Sequence, residues 1–299
     1  MAAAQSIGGD MAKRNKLNLL LALLVVGLAL FVWFDEPPST ESKPSPLALL
    51  KEGEVTDIRL TKGGVTTLLV RESEGEQWQL TQPITAPVQP FKVDSLLALL
   101  AVEPFNRFSV ANEASLAQYG LAEPMVEVAF NQGAVTFKFG AQTALDRRRY
   151  VAIGGEVATI ADYHYYQAAA DYNDFINPRL LPNNPQLVAF ILPEFTLRHG
   201  ESGWAIEPAE PTVSADSVAD WVDNWKYTSA LSVEALEEPP TEIEGRIEIE
   251  MAAGERVTWL LSENERHEPQ LYRPDLKLLY QLPQSQRRLF ERPLSEVSE

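Results

Sequence analysis

The chain contains no cysteine. That excludes disulfide bridges, thiolate nucleophiles, cysteine-ligated zinc or iron–sulfur centres, and the acylated cysteine of a bacterial lipoprotein. Histidine is scarce: His164, His199 and His267 stand far apart and form neither an H-x-H nor an H-E-x-x-H pairing, so no zinc motif is written locally. Basic residues are outnumbered, 25 against 42 acidic, for a net charge of -17. A phosphate backbone asks for the opposite sign, so nucleic acid is not an expected partner. No Gly-x-Ser-x-Gly elbow, phosphate loop or dinucleotide fingerprint occurs; Gly63-Gly64 and Gly154-Gly155 read as turn pairs, and no cofactor or metal is expected.

Long apolar runs are missing as well, with one exception. Leu17 to Phe34 carries no charge, with Lys13, Arg14 and Lys16 before it and Asp35 and Glu36 after it. At about 1.5 Å per residue such a run crosses the hydrocarbon of a bilayer as a helix, and the basic flank holds its start in the cytoplasm. The rival is a cleavable signal peptide, but Trp33-Phe34-Asp35-Glu36-Pro37 is a poor substitute for a small-residue cleavage site. The expectation is a single-pass protein of the bacterial inner membrane, its N-terminus (Met1 or Met11) cytoplasmic and its remainder periplasmic. Residues 1–16 read as a cytoplasmic tail, 17–34 as the transmembrane helix, and 35–54 as a linker around the Pro- and Ser-rich stretch Pro37 to Pro46.

The remainder reads as two copies of one unit, 55–186 and 187–299. Trp78-Gln79-Leu80 returns as Trp204-Ala205-Ile206, Pro83 returns as Pro208, and Val93-Asp94-Ser95-Leu96 returns as Ala215-Asp216-Ser217-Val218. Arg149-Tyr150-Val151 aligns with Leu271-Tyr272-Arg273 in the same way. Each copy predicts a Trp-bearing strand, a proline loop, one helix begun at an Asp-Ser pair, a short helical stretch, and closing antiparallel strands. The first helix buries Leu96, Leu99 and Leu100, and the second buries Val218, Trp221, Val222 and Trp225. The fold class is α+β: two similar β-rich repeats of mostly antiparallel sheet with short helices, preceded by one transmembrane helix.

Tyr119-Gly120-Leu121-Ala122-Glu123-Pro124, together with Trp78-x-Leu80, the helix near Asp94 and the segment Asp171 to Leu181 containing Arg179-Leu180-Leu181, resembles the bacterial domain-of-unknown-function family DUF4340 over roughly residues 75–285. The resemblance implies a membrane-anchored extracytoplasmic protein, of a kind in part encoded or fused beside ABC-type transport and gliding-motility auxiliary proteins. It carries no established activity and no catalytic residues. This chain has one anchor and no transporter segments, which departs from a direct role in transport.

Few residues suggest chemistry. Asp216, Asp220 and Asp223 share one helix face, a spacing compatible with a divalent cation or an acid/base pair, although a solvated face opposite an apolar one gives the same pattern. Gly120 reads as a left-handed helix cap with Leu121 folding back. Tyr163, Tyr165 and Tyr166 form a cluster suited either to a partner surface or to a packed helix, and Arg147, Arg148 and Arg149 form a basic run suited to an anionic partner or to a solvated hairpin turn. The leading expectation is a non-enzymatic accessory or scaffold subunit that binds another envelope protein. The alternatives are a carboxylate-dependent envelope hydrolase and a small-molecule or cation sensor.

Overall fold

The computed structural model describes residue 19 and residues 22–27, 45–110, 112–209, 213–252 and 254–293. Leu19 and residues 22–27 are helical, and the rest of the expected membrane run lies outside the described residues. Among the described residues no helix is long and apolar enough to cross a membrane. The chain divides into Met1–Ser45 and Pro46–Glu299, and everything below concerns the second unit.

Among the described residues that unit contains two antiparallel sheets. The first comprises β1 (Asp57–Lys62), β2 (Val65–Val70), β3 (Gln79–Gln82), β4 (Ala86–Pro87), β5 (Asn106–Ser109), β6 (Val126–Phe130), β7 (Val135–Gln142), β8 (Arg148–Ile153) and β9 (Glu156–Ala161), ordered β4-β3-β2-β1-β6-β7-β8-β9-β5. The second comprises β10 (Leu187–Ile191), β11 (Thr196–Gly200), β12 (Gly203–Glu207), β13 (Ser232–Ala235), β14 (Gly245–Met251), β15 (Arg256–Glu263), β16 (Pro269–Arg273) and β17 (Leu278–Gln281), ordered β12-β11-β10-β14-β15-β16-β17-β13. The two orders are the same once β1 is matched with β10; β4 alone lacks a counterpart among the described residues. Gly63-Gly64 and Gly154-Gly155, all at positive φ, close two-residue hairpins with register Lys62↔Val65 and Ile153↔Glu156, as a type I′ turn requires.

Apolar rows cross both sheets at matching places. Leu80, Leu69, Ile58, Phe130 and Val135 stand opposite one another in the first sheet, and Ile206, Leu197, Phe190, Ile249 and Val257 do so in the second. These rows refine the alignment read from sequence. At Thr81 the register of β3 against β2 shifts by one residue, a bulge that β12 lacks, so the offset between copies changes there. The pairing of Arg149-Tyr150-Val151 with Leu271-Tyr272-Arg273 is corrected by two positions: Val151 lies opposite Phe139 as Leu271 lies opposite Leu261.

A matched helix packs on each sheet, and the first sheet also carries a short helix after β9. Helix α1 (Pro90–Leu97) begins at Pro90, whose missing N–H needs no partner in the first turn, and continues into a 3-10 turn at Ala98–Ala101. Helix α2 (Tyr163–Ala168) follows β9, and α3 (Ala215–Tyr227) is capped by Ser214, whose hydroxyl accepts the Ser217 N–H at 3.1 Å. The expected Asp-Ser starts are therefore corrected: Asp94 lies inside α1, and Asp216 lies in the first turn of α3. Burial of Val93, Leu96, Leu97 and Leu100 matches that of Val218, Trp221, Val222 and Trp225, position for position. The tryptophans make the second core larger. Their indole N–H groups are satisfied by a C-terminal strap, Trp225 donating to Leu289 O (3.1 Å) and Trp221 to Glu291 O (3.0 Å).

The packed chain begins earlier than the expected Val55. Leu47 and Ala48 are buried, and the Leu47 N–H donates to Val102 O at 3.0 Å, just past the first helix. The Leu180 N–H donates to Thr228 O, just past the second helix, in the corresponding way. The segment around Leu180 also serves the first sheet: Gln89 N–H donates to Phe175 O and Asn177 N–H to Pro87 O, both at 2.8 Å, with Ala230 N–H donating to Pro178 O on the other side. Residues 175–180 thus run between the β4 edge of one sheet and the chain entering β13 of the other. Phe175, Ile176, Leu180 and Leu181 are all buried within a single apolar cluster that includes residues of both sheets.

The 3-10 turn Glu113–Tyr119 ends at Gly120 in the left-handed region (φ 68°), where Gly120 N–H donates to Ala117 O and Leu121 N–H to Leu116 O, each at 3.0 Å. This cap lies directly on β7. A Cβ on Gly140 would fall 2.3 Å from Tyr119 O and 2.8 Å from the Leu121 side chain. Gly140→Ala is therefore expected to cost about 2 kcal/mol, read as a lower urea midpoint at unchanged slope. An unchanged midpoint would contradict this packing.

Candidate functional site

Side chains of β8 alternate between faces. Val151 and Ile153 point into the core, so Arg149 points the same way, while Arg148 and Tyr150 lie on the opposite face. Arg149 is 6% exposed. Its Nε donates to Asp162 Oδ1 at 2.5 Å and its Nη1 to Gly140 O at 2.9 Å. Gln142 Nε2 donates to the other Asp162 oxygen at 2.8 Å. The guanidinium also lies 3.8 Å from the Tyr165 ring centroid and touches Met125 Sδ at 3.5 Å. A buried ion pair persists only when its remaining donors and acceptors are satisfied, and this one meets that condition through Gly140 and Gln142.

The three arginines of the basic run thus separate. Arg147 occupies the hairpin turn at φ 49° and is exposed; Arg148 lies over the Phe105 ring at 4.0 Å with Asp146 at 3.7 Å; Arg149 is enclosed and unavailable to a docking anion. The tyrosines divide too. Tyr165 packs against Arg149 and Phe139, whereas Tyr163 and Tyr166 are 61% and 64% exposed on either side of it. Met125, 52% exposed, touches the same guanidinium. Asp162 and Gln142, which lock this end of the sheet, escaped sequence reading because their pairing crosses three strands. The alternation Arg149, Val151, Ile153 was the available signal that Arg149 faces inward.

His164 is buried beside the Tyr163 ring at 3.9 Å, and its Nδ1 has no hydrogen-bond partner among the described residues. His199 lies against Trp204 on the second sheet, and His267 is exposed with Nδ1 2.9 Å from Glu263. Hydrogen bonds from Arg287 and then His267 hold the Glu263 carboxyl below its ordinary pKa. Of the acidic face on α3, Asp223 meets Lys226 at 3.3 Å, while Asp216 and Asp220 line a recess with Arg288 and Arg292 from the C-terminal strap. The three carboxylates do not gather: among the described residues no group of three or more metal-ligating side chains forms.

Two outcomes follow. Arg149→Leu leaves Asp162 buried without its counter-ion and is expected to lower stability by about 3–5 kcal/mol, whereas Arg149→Leu combined with Asp162→Leu recovers much of that loss; an Arg149→Leu protein as stable as the parent would contradict the pair's role. Burial also lowers the His164 pKa from 6.5 to about 4. The unfolded chain takes up that proton at higher pH. Stability from neutral His164 is therefore complete above about pH 6.5 and is lost as pH falls toward 4, by up to ~3 kcal/mol. Urea unfolding at pH 7 and pH 4.5 should show a smaller difference in His164→Leu than in the parent, and equal differences would refute this.

The family model described as "Domain of unknown function (DUF4340)" matches residues 78–238. That stretch runs from Trp78 through α1, the Gly120 cap, the Arg149 pair and the connecting segment to α3, and ends short of the roughly 75–285 expected from sequence. No curated protein matches the chain, and no solved structure does. The matched residues make up more than half of the chain, which belongs to the DUF4340 family.

Proposed function

We propose that this protein is a non-enzymatic, single-pass inner-membrane protein whose periplasmic duplicated domain binds another envelope protein as an accessory or scaffold subunit. The uncharged run Leu17 to Phe34 with its basic flank supports the anchor and its orientation. The observation that carries the binding reading is the pair of exposed tyrosines on α2. Tyr165, between them, is clamped on the buried Arg149–Asp162 pair, so Tyr163 and Tyr166 are presented on a fixed base, and the exposed Met125 touches the same guanidinium. Exposed aromatic side chains that lose little freedom on docking are enriched at interface centres.

The test is co-purification from native membranes with the full chain and with Tyr163→Ser/Tyr166→Ser. These exposed substitutions are expected to leave unfolding within about 0.5 kcal/mol of the parent. Recovery of the associated envelope protein should fall about tenfold or more, as for loss of an interface hot spot. Equal recovery from both, or a strictly solitary parent in several mild detergents, would reject the reading.

A further inference from the structure

The two copies differ at one matched place. In the first, Arg71 follows β2 and reaches back over the chain entering β1. Its Nε donates to Val55 O at 2.7 Å, its Nη2 to Glu52 O at 2.7 Å and Gly53 O at 3.3 Å, and its guanidinium lies 4.9 Å from the Trp78 ring centroid. The side chain closes that corner of the unit with a stacked cation and a ring of carbonyls.

Register locates the same corner in the second copy. Leu69 stands opposite Leu80 as Leu197 stands opposite Ile206, so His199 takes the place of Arg71 and Trp204 that of Trp78. Ile58 stands opposite Leu69 as Phe190 stands opposite Leu197, so the chain entering β10, Asn184 to Leu187, arrives at the corner where Glu52 to Val55 enters β1. The tryptophan is retained; the arginine is not, and where the first copy has the 3-10 turn Glu52–Glu54 the second has an irregular stretch with Asn184 at φ 47°. His199 meets Trp204 at 5.1 Å, edge to face, and among the described residues its ring makes no hydrogen bond to that stretch. A cleft of about 400 Å³ remains, lined by Asn184, Pro185, Leu187, His199, Trp204 and Lys226. Among the described residues no backbone N–H of the chain donates to the carbonyls of Asn184 or Pro185. The Lys226 ammonium on the cleft wall is held by Asp223, and the chain as a whole is strongly anionic.

We propose that this cleft receives the arginine side chain of a partner protein, its guanidinium stacked on Trp204 and donating to the carbonyls of Asn184 and Pro185, in the place that Arg71 fills in the first copy. The protein thereby displays the complement of its own missing residue. A net negative charge draws a cationic partner in, and an arginine fits where lysine does not, because a planar fork is needed to stack and to reach two carbonyls together. This deepens the partner-binding reading and rests on it.

The test needs no partner. Full-length protein in detergent micelles is titrated with N-acetyl-arginine amide, and with its uncharged isostere N-acetyl-citrulline amide, while the Trp204 indole N–H resonance is followed by NMR; Trp204→Phe assigns the signal. The arginine probe is expected to give a saturable shift, weakened about tenfold or more with citrulline. His199→Arg supplies its own guanidinium, so it should abolish the shift and raise the melting temperature. The proposal is overturned if citrulline binds as well as arginine, if the shift persists in His199→Arg, or if arginine produces none up to about 100 mM. A silent titration beside intact co-purification would remove this site and leave the partner-binding reading standing.

Discussion

Each sheet has edges whose backbone groups need partners, and one short stretch of chain serves both the β4 edge of the first sheet and the chain that leads into β13 of the second. Residues 175–180 accept from Gln89 and donate to Pro87 at the β4 edge of the first sheet, then accept from Ala230 and donate to Thr228 in the chain between α3 and β13. An open edge is a template for uncontrolled pairing, so the segment protects the β4 edge of the first copy while tying it to the chain that leads into β13 of the second. The segment also buries Phe175, Ile176, Leu180 and Leu181 among residues of both sheets, and so places its apolar side chains where its backbone is already fixed. The stretch that carries part of the DUF4340 resemblance is thus the chain's internal joint, and Arg179-Leu180-Leu181 is a structural signature.

On this repeated frame the copies have diverged in their fillings. Aliphatic residues on α1 are replaced by tryptophans on α3, and the wider core is closed by carbonyls of the C-terminal strap. In the first copy a buried arginine pair fixes α2 at the end of the sheet, and Arg71 fastens the chain entering β1. The second copy has His199 at the Arg71 position and a cleft in its place. The frame explains stability; the differences between copies are where binding is to be sought. Both proposed contact regions, the tyrosines of α2 and the cleft at Trp204, are products of such divergence.

Much of this architecture was legible before any coordinates. Alternation marked β1 and β2, apolar runs marked β6, β7 and their counterparts β14 and β15, glycine pairs marked the tight hairpins, and repeated Trp-x-apolar strands revealed the duplication, while β10 and β11 went unread. Gly120 was readable as a cap because glycine before a back-folding leucine supplies a complete local mechanism. The edge strands β5 and β13 were not legible, since Asn106-Arg107-Phe108-Ser109 and Ser232-Val233-Glu234-Ala235 gain their pairing from distant strands rather than from a local period. Helix starts were misplaced because an Asp-Ser pair suggests a cap wherever it stands, while Pro90 and Ser214 had the stronger local chemistry. The Arg149 pair and the Arg71–His199 contrast depend on register across strands, which no linear spacing carries.

The joint between the copies is the claim on which the account rests, and amide hydrogen exchange of Asn177 and Leu180 tests it most directly. If residues 175–180 bind both sheets into one body, these two N–H groups exchange only with global unfolding, at the rate of core amides such as Val128 and Ile249. Exchange orders of magnitude faster than those strands, with the strands themselves fully protected, would show the segment to be a loose tether between two independent units and would contradict the account.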